Sequence, residues 1–283
     1  MQSSHAVPFA LAWRSPRAAG HDAGGMEAPP RVPGYRLLRQ IGQGRRTTAW
    51  LAWDLTRKTD VVLKLEPFPG PSLQRECVVA ARVQSPHLVR MHGHGRTAQW
   101  SFVAMEHVPG GDLARRMRSP IDRGQALDLA AQAARALAQL HRQQLVHRDV
   151  KPANFLLRAD GALVLADFGL VVEAGAVDPA SGGGAVVGTP RYVAPEQLRG
   201  APAAPAADVY SLGALLYEML CGRPLFSGET LMEICSQQLL ATPAPLPAPL
   251  ADLQPLVDQM LCKDAYCRPP DADAVLGLIG QRC

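Results

Sequence analysis

Long apolar runs, paired cysteines and lysine are all scarce in this chain of 283 residues. No stretch reaches the roughly 18–20 apolar residues that a membrane-spanning helix needs, so a membrane span is not expected. The six cysteines form no C-x-x-C pair and have no histidine cluster at zinc-ligand spacing. The composition therefore disfavours a structural zinc site and predicts a soluble, cytoplasmic protein with reduced thiols.

A concentrated positive charge is also missing. The formal net charge is only +4, and no basic stripe is interleaved with the aromatic residues, which make up 5% of the chain. Nucleic acid is therefore not an expected partner. Arginine supplies nearly all of the cations, and lysine is kept at only four positions, which are Lys58, Lys64, Lys151 and Lys263.

The first 33 residues lack the periodicity of helices and strands. They are rich in Ala, Gly, Pro, Ser and Arg, which predicts a disordered tail over 1–33. Within this tail the apolar stretch AVPFALAW has no basic segment before it, so a signal peptide is not expected.

From Tyr35 onward, short strand-like runs are separated by glycines or polar turns. YRLLRQI, AWLAWDL, DVVLKLE, HLVRMHG and WSFVAMEHV predict an antiparallel sheet, and the one helix among them is SLQRECVVAARVQ at 72–84. A β-rich lobe of about 75 residues is thus expected before the pair Gly110–Gly111.

The chain becomes mainly helical after that glycine pair. ADVYSLGALLYEMLCG (207–222) predicts an apolar helix with Asp208 as its N-cap, whereas ATPAPLPAPL (241–250) predicts a proline-interrupted connector. Short strands are expected at 145–146, 155–157 and 163–168. A cleft between the two lobes is the expected ligand site. In DLAAQAARALAQLH (128–141), helical spacing predicts one buried face, formed by Ala130, Ala134, Leu137 and His141.

Five sequence blocks carry the functional signal: VVLK (61–64), VHRDVKPANFLL (146–157), LADFGL (165–170), GTPRYVAPE (188–196) and YCRPP (266–270). A lone HRD or DFG is usually a chance tripeptide. In this order and at these intervals, however, the blocks resemble those of eukaryotic-type (Hanks-type) Ser/Thr protein kinases of bacterial style. The resemblance implies an α+β bilobal fold for a kinase domain over 34–283. An antiparallel β-sheet lobe with one main helix would cover about 34–107, and a mainly α-helical lobe about 108–283.

The resemblance also implies the roles of four residues in the C-terminal lobe. Asp149 would orient the substrate hydroxyl and accept its proton. Lys151 would steady the γ-phosphate of ATP, which favours Ser or Thr as the acceptor. Asn154 and Asp167 would bind Mg²⁺, or Mn²⁺ in its place, through oxygen ligands that suit a hard cation.

The N-terminal lobe would supply the nucleotide site. Lys64 would grip the α- and β-phosphates with Glu76 as its partner, since nine residues separate Glu76 from PHLV (86–89), close to the family interval. IGQGRRTTAW (41–50) would be the glycine-rich loop, 106–108 the hinge beside adenine, and Met105 the back of the adenine pocket. The residues that the resemblance assigns to ATP binding are Ile41, Gly42, Gly44, Ala49, Val62, Lys64, Met105, Glu106, Val108 and Leu156.

GTPRYVAPE resembles the end of a kinase activation segment. Thr189 would touch Asp149 and Lys151 and belong to the catalytic set. Glu196 would form a buried ion pair with Arg268 that ties the segment to the core.

Three further positions follow from the same resemblance. Asp208 would anchor the backbone of the catalytic loop. Arg148 precedes the catalytic aspartate, where an arginine often meets a phosphorylated residue. Ser181, followed by three glycines, is either that phosphorylation site or part of a Gly-Ser linker.

The sequence departs from the family pattern at a few positions. Thr47 replaces the third glycine of the loop, and its side chain should stiffen or lift the loop. Ala49 and Val62 exchange the usual large and small residues around adenine, which predicts a pocket that is retained but reshaped. Ala80 replaces a larger apolar residue that would pack towards Phe168, which predicts a local cavity.

The sequence therefore predicts an ATP- and Mg-dependent protein Ser/Thr kinase. It would act on Ser/Thr acceptors of protein substrates and phosphorylate itself through transient self-association. The alternative is a pseudokinase that serves as an ATP-binding or scaffolding module. A small-molecule phosphotransferase of related fold is disfavoured by GTPRYVAPE, which builds a peptide-binding segment.

Overall fold

The computed structural model describes residues 30–44, 46–68, 72–177 and 188–281. Ser181 and most of the predicted tail lie outside these ranges. The strands of the structure are β1 Tyr35–Gln43, β2 Thr48–Asp54, β3 Thr59–Pro67, β4 Met91–Arg96, β5 Trp100–Glu106, β6 Leu145–Val146, β7 Phe155–Leu157, β8 Leu163–Leu165 and β9 Val172–Glu173. Its α-helices are α1 Ser72–Arg82, α2 Leu113–Arg116, α3 Arg123–His141, α4 Pro195–Leu198, α5 Pro205–Cys221, α6 Leu231–Leu240, α7 Gln254–Met260 and α8 Ala272–Gly280.

The N-terminal lobe is built on one antiparallel sheet, as the sequence predicts, with the strand order β1-β2-β3-β5-β4. Alternate residues of β3 face its core, where Val61, Leu63 and Leu65 are fully buried. Val32, among the last residues of the predicted tail, is buried in the same core, so the packed chain begins before the predicted boundary at 34. Lys64 lies on the other face, which borders the cleft because Lys64 reaches Asp167 of the second lobe.

The C-terminal lobe is mainly helical, and α3 confirms the predicted buried face. The helix begins at Arg123, earlier than the predicted segment, because Asp122 is its N-cap and accepts a hydrogen bond from the Gln125 N–H. The predicted face has exposures of 0% at Ala130, Ala134 and Leu137 and 4% at His141.

The start of α5 corrects one prediction. Asp208 is not the N-cap; Ala204 occupies that position and Pro205 follows as the first helical residue. Proline suits this position because its fixed φ angle matches the helix and its missing N–H would have no helical partner there. Asp208 lies inside the helix, and its buried carboxylate is therefore available to another element.

The connector at 241–250 has no α-helix, as predicted, although its end enters the 3-10 helix Ala248–Leu253. Two other 3-10 helices cover Pro152–Asn154 and Ala265–Cys267. Within the described ranges, no helix is both long and apolar enough to cross a membrane.

Candidate active site

The cleft-facing side of the sheet brings predicted nucleotide-binding residues together. Paired residues of antiparallel strands project on the same side of a sheet. Ala49 pairs with Gly42 on β1 and with Lys64 on β3, and Val62 pairs with Met105 on β5. Since Val62 and Lys64 are two residues apart on one strand, all five residues lie on one face.

Lys64 lies between two carboxylates. Its Nζ donates to Glu76 Oε1 at 2.6 Å and to Asp167 Oδ1 at 2.8 Å. Burial alone would lower the pKa of Lys64, but the charges of Glu76 and Asp167 outweigh it and raise the pKa above its ordinary value. Burial likewise works to raise the pKa of Asp167, but Lys64 outweighs it and lowers that pKa. The ammonium therefore stays charged and joins the two lobes.

Asp149 lies in the loop 147–154, which we call the catalytic loop, and both of its carboxylate oxygens accept hydrogen bonds. Oδ1 accepts from the Thr189 hydroxyl at 2.8 Å. Oδ2 accepts from Lys151 Nζ at 2.5 Å and from Asn154 Nδ2 at 3.2 Å. Asn154 also donates to the Asp149 carbonyl at 2.8 Å, which fixes the carboxylate relative to its own backbone.

The catalytic loop is anchored from α5, as the sequence predicts. Asp208 is fully buried and accepts hydrogen bonds from the N–H groups of His147 at 2.7 Å and Arg148 at 2.8 Å. His141 Nδ1 accepts from the Ala272 N–H, so its Nε2 carries the proton and donates to Asp208 at 3.0 Å. Burial would raise the pKa of Asp208, but these hydrogen bonds, led by that from His141, lower it. The aspartate thus remains an acceptor for the loop.

The glycine-rich loop is a tight turn between β1 and β2. The Gly44 N–H donates to the Thr47 carbonyl at 2.7 Å. A Cβ on Gly44 would lie only 2.8 Å from Thr47 Oγ1, so a larger residue there would force the Thr47 side chain or the turn to shift. The Thr47 side chain therefore packs over the turn. Arg45, between these residues, lies outside the described part of the chain.

An apolar cluster borders the hinge. Val108 is buried, and Met105 and Leu156 pack against its cluster, so three predicted adenine-site residues meet here. Ile41, at the other side of the predicted pocket, is 41% exposed. The Glu106 carboxylate accepts hydrogen bonds from Arg158 at 2.6 Å and from the Arg90 N–H at 2.8 Å.

The predicted ion pair between Glu196 and Arg268 is present and is bidentate. The two guanidinium nitrogens donate to the two carboxylate oxygens at 2.7 Å and 2.8 Å. The Arg268 side chain is fully buried and also donates to the Ala206 carbonyl at 2.9 Å. The end of the activation segment is thereby joined to α5.

Two further side-chain contacts hold the activation segment against α5 and α6. The Tyr192 hydroxyl donates to Glu218 of α5 at 2.6 Å. Gln238 of α6 donates to backbone carbonyls of the segment. Sequence reasoning missed both contacts. Tyr192 lies in the GTPRYVAPE block, but nothing in that block names Glu218 as its partner. Gln238 is adjacent to Gln237, and nothing in the local pattern distinguishes these two residues.

Comparison with known proteins agrees with this geometry. Residues 35–276 match the protein kinase domain family. The chain is 36% identical over 256 residues, 84% of its length, to the serine/threonine-protein kinase PknA of Corynebacterium glutamicum. It is 32% identical over 252 residues, 85% of its length, to the serine/threonine-protein kinase PknL of Mycobacterium tuberculosis.

The matched relatives are longer proteins, since the chain spans 54% of the PknA sequence and 63% of the PknL sequence. The family match nevertheless covers nearly all of the two lobes, including the cleft residues described above. This chain belongs to the protein kinase family, and its kinase domain is of the bacterial Hanks-type Ser/Thr class.

Proposed function

We propose that this chain is an active protein serine/threonine kinase that transfers the γ-phosphoryl group of ATP to Ser or Thr hydroxyls of protein substrates. The observation that carries the proposal is the bridge from Glu76 through Lys64 to Asp167. It joins the two lobes at the site where a kinase must place the phosphates.

Lys64 supplies the fixed positive charge of the nucleotide site. Its ammonium is held by carboxylates from both lobes, so little reorganisation is needed when negative phosphate enters. Gly42 and Gly44 allow the loop backbone to approach that phosphate. Met105, Val108 and Leu156 offer an apolar wall for the adenine ring, and Ala49 and Val62 lie on the same sheet face as Lys64.

Asn154 and Asp167 fit a divalent metal, which the kinase family typically uses with ATP. Within the described residues there is no group of three His, Cys, Asp or Glu side chains that could hold an ion alone. Mg²⁺ suits such a site, because it usually takes one or two protein carboxylates and completes its shell with phosphate oxygens and water. Asn154 donates through Nδ2, which leaves its Oδ1 as a ligand. When bound, the metal would neutralise charge on the phosphates.

The acceptor side of the reaction belongs to Asp149. Its carboxylate would accept a hydrogen bond from the substrate hydroxyl and take its proton as the phosphoryl group transfers. Thr189 would then share Asp149 with the incoming hydroxyl. Lys151, bonded to the same carboxylate, would balance the negative charge that develops nearby.

The pseudokinase alternative is disfavoured by the same contacts. A scaffolding module would not require Lys64, Glu76 and Asp167 to be joined across the cleft. The departures at Thr47 and Ala80 leave those contacts in place.

The activation segment supports protein substrates, because its end would bind the acceptor peptide. Glu196 and Arg268 join that end to α5. We also propose that the protein phosphorylates itself through transient self-association. The metal would be Mg²⁺ in preference to Mn²⁺. The protein would be cytoplasmic, and its kinase domain would begin near residue 34.

The decisive experiment measures transfer of labelled phosphate from ATP to the protein itself and to a generic basic protein. The wild type should label both, and Lys64→Met and Asp149→Asn should lose about 100-fold or more of the rate, because each removes a charged group that acts in the transition state. Equal labelling by all three proteins would refute the proposal. Circular dichroism of each variant checks that the fold is kept.

A further inference from the structure

Helix α6 lies at the surface of the C-terminal lobe and buries only Ile234 and Gln238. The side chain of Gln238 is shielded completely, with 0% exposure. A buried carboxamide is costly unless its polar atoms find partners. Its partners therefore identify the part of the molecule that Gln238 serves.

All of these partners lie outside α6. Gln238 Nε2 donates to the Arg191 carbonyl at 2.7 Å and to the Pro190 carbonyl at 3.2 Å. Its Oε1 accepts from the Tyr210 hydroxyl of α5 at 2.6 Å. Both N–H groups and the oxygen of the carboxamide are thus used, and two neighbouring carbonyls require donors, which only the nitrogen of the amide can supply.

The two carbonyls belong to the backbone that directly follows Thr189. Thr189 donates to Asp149 at 2.8 Å, and its own carbonyl accepts from the Tyr192 N–H at 2.9 Å. The segment 189–192 is therefore fixed at one end by the catalytic loop and at its middle by Gln238. Because Thr189 contacts Asp149 directly, an acceptor hydroxyl that reaches Asp149 would lie close to this backbone.

Lys263 contacts both Tyr210 and Gln238. Its Nζ donates to the Tyr210 hydroxyl at 3.0 Å and to the Gln238 carbonyl at 2.7 Å, and it lies 4.7 Å from the centre of the Phe226 ring. Because the Tyr210 hydroxyl accepts from Lys263, its own hydrogen is donated to the Gln238 side chain. The hydrogen bonds run in one direction, from Lys263 through Tyr210 and Gln238 to the segment.

We propose that Gln238 is a positioning residue for the protein substrate, and that it acts by holding the Pro190–Arg191 backbone beside Asp149. The inference rests on the proposed kinase function. The hydrogen bonds described for the Gln238 side chain go to Pro190, Arg191 and Tyr210 and to none of the residues assigned to ATP. Gln238 would therefore determine how the acceptor peptide binds and leave the handling of ATP unchanged.

Kinetics with a degenerate synthetic peptide mixture that carries one central threonine tests the substrate half of this inference. Gln238→Glu replaces the amide donors by an oxygen that faces two carbonyls, and Gln238→Met removes them with little change in shape. Both should raise the KM for peptide about fivefold or more, while the KM for ATP and ATP hydrolysis without peptide stay within about twofold. Tyr210→Phe should act in the same direction with a smaller effect, because the amide donors remain.

The matched control is Gln237→Glu. Gln237 is the neighbouring glutamine on α6, and its Nε2 donates to the Ser227 carbonyl, away from the segment. This variant should keep the wild-type KM for peptide. A peptide KM that is unchanged in Gln238→Glu, or that changes only in parallel with ATP hydrolysis, would overturn the positioning role.

Hydrogen exchange tests the structural half without relying on activity. In Gln238→Met the amides of 191–193 should exchange about tenfold faster or more, whereas those of α3 should keep their wild-type rates. Unchanged exchange in 191–193 would contradict the inference even if the enzyme is active. A wild type that transfers no phosphate would instead refute the proposed function, and with it the substrate half of this inference.

Discussion

Arg148 and Asp167 hold their backbones in the left-handed region, with φ angles of 66° and 63°. Such conformations cost a non-glycine residue about 1–3 kcal/mol and persist only where the surroundings fix them. Asp208 fixes Arg148 through its N–H, and Lys64 holds the Asp167 carboxylate. The strain at each residue is therefore maintained by a charged group from another element.

Thr47 gives a prediction at this scale. Its side chain packs over the turn at Gly44, so Thr47→Gly should loosen the loop. Ordering a further glycine costs about 0.5–1 kcal/mol, which should weaken ATP binding about two- to fivefold in a titration. Thr47→Ser keeps the hydroxyl and should bind ATP like the wild type. Unchanged affinity in Thr47→Gly would mean that the missing family glycine has no effect.

Lys263 gives a prediction about pH. Burial, together with the charges of Arg268 and Arg199, lowers the pKa of Lys263 to about 8 from its ordinary 10.5. Between these values the unfolded chain holds a proton that the folded chain has lost, so rising pH favours folding. The free energy of unfolding of the wild type should therefore increase relative to Lys263→Met between pH 8 and 10.

Urea denaturation of both proteins at several pH values gives this difference directly. Lys58→Met is the control, because Lys58 is an exposed lysine on the turn between β2 and β3. A difference between wild type and Lys263→Met that stays constant or falls with pH would contradict the prediction.

At the scale of elements, α5 organises the catalytic half of the molecule. Asp208 in its first turns anchors the catalytic loop. Further along, the Ser211 hydroxyl donates to the Tyr192 carbonyl at 2.6 Å, and Glu218 accepts from the Tyr192 hydroxyl. One rigid, buried helix thus fixes both the catalytic loop and the activation segment, which keeps their relative position constant.

Ala80 on helix α1 gives a prediction about stability. Ala80 lines a pocket of about 560 Å³ that is partly open to solvent, and Val83, Met91 and Phe168 form its apolar side. The pocket lies where the sequence predicts that alanine leaves space. Ala80→Leu should fill part of it and raise the free energy of unfolding by about 1–2 kcal/mol, because each buried CH₂ group contributes about 0.8 kcal/mol.

Denaturation of Ala81→Leu provides the comparison. Ala81 is the next residue of α1 and is exposed, so leucine there should leave stability within about 0.5 kcal/mol of the wild type. If Ala80→Leu is no more stable than Ala81→Leu, the pocket cannot accept the side chain in the folded protein.

At the scale of the whole molecule, the active site exists only where the lobes meet, and the chain between them is tightly constrained. Gly110 lies on this connection, and a Cβ there would be 2.2 Å from the Leu157 carbonyl oxygen. Gly110→Ala must therefore displace the backbone of one lobe, and we expect it to destabilise the protein by about 1–3 kcal/mol in thermal denaturation.

The contrasting substitution is Gly277→Ala in α8, where a Cβ would meet no atom within 4 Å. Alanine has the better helix propensity, so this variant should gain about 0.5–1 kcal/mol. Equal stability of Gly110→Ala and the wild type would show that the connection between the lobes can shift without cost.

Local patterns were sufficient to predict the antiparallel sheet and the buried face of α3, and they named the residues that meet in the cleft. Strand alternation, helical spacing and the VHRDVKPANFLL and LADFGL blocks are local patterns, since each depends on residues within a few turns or one strand. The pairing of Glu196 with Arg268 and the anchoring role of Asp208 were also accessible, because the family resemblance relates distant positions.

Other features became clear only from the packing of the helices. Asp208, predicted to cap α5, lies inside that helix, and Gln238 gave no local signal for its contact with the segment after Thr189. Asp208 and the backbone of His147 are 61 residues apart in the chain, and Gln238 and Arg191 are 47 residues apart. A hydrogen bond over such a separation depends on how helices pack around the core, and no pattern within one helix encodes that packing.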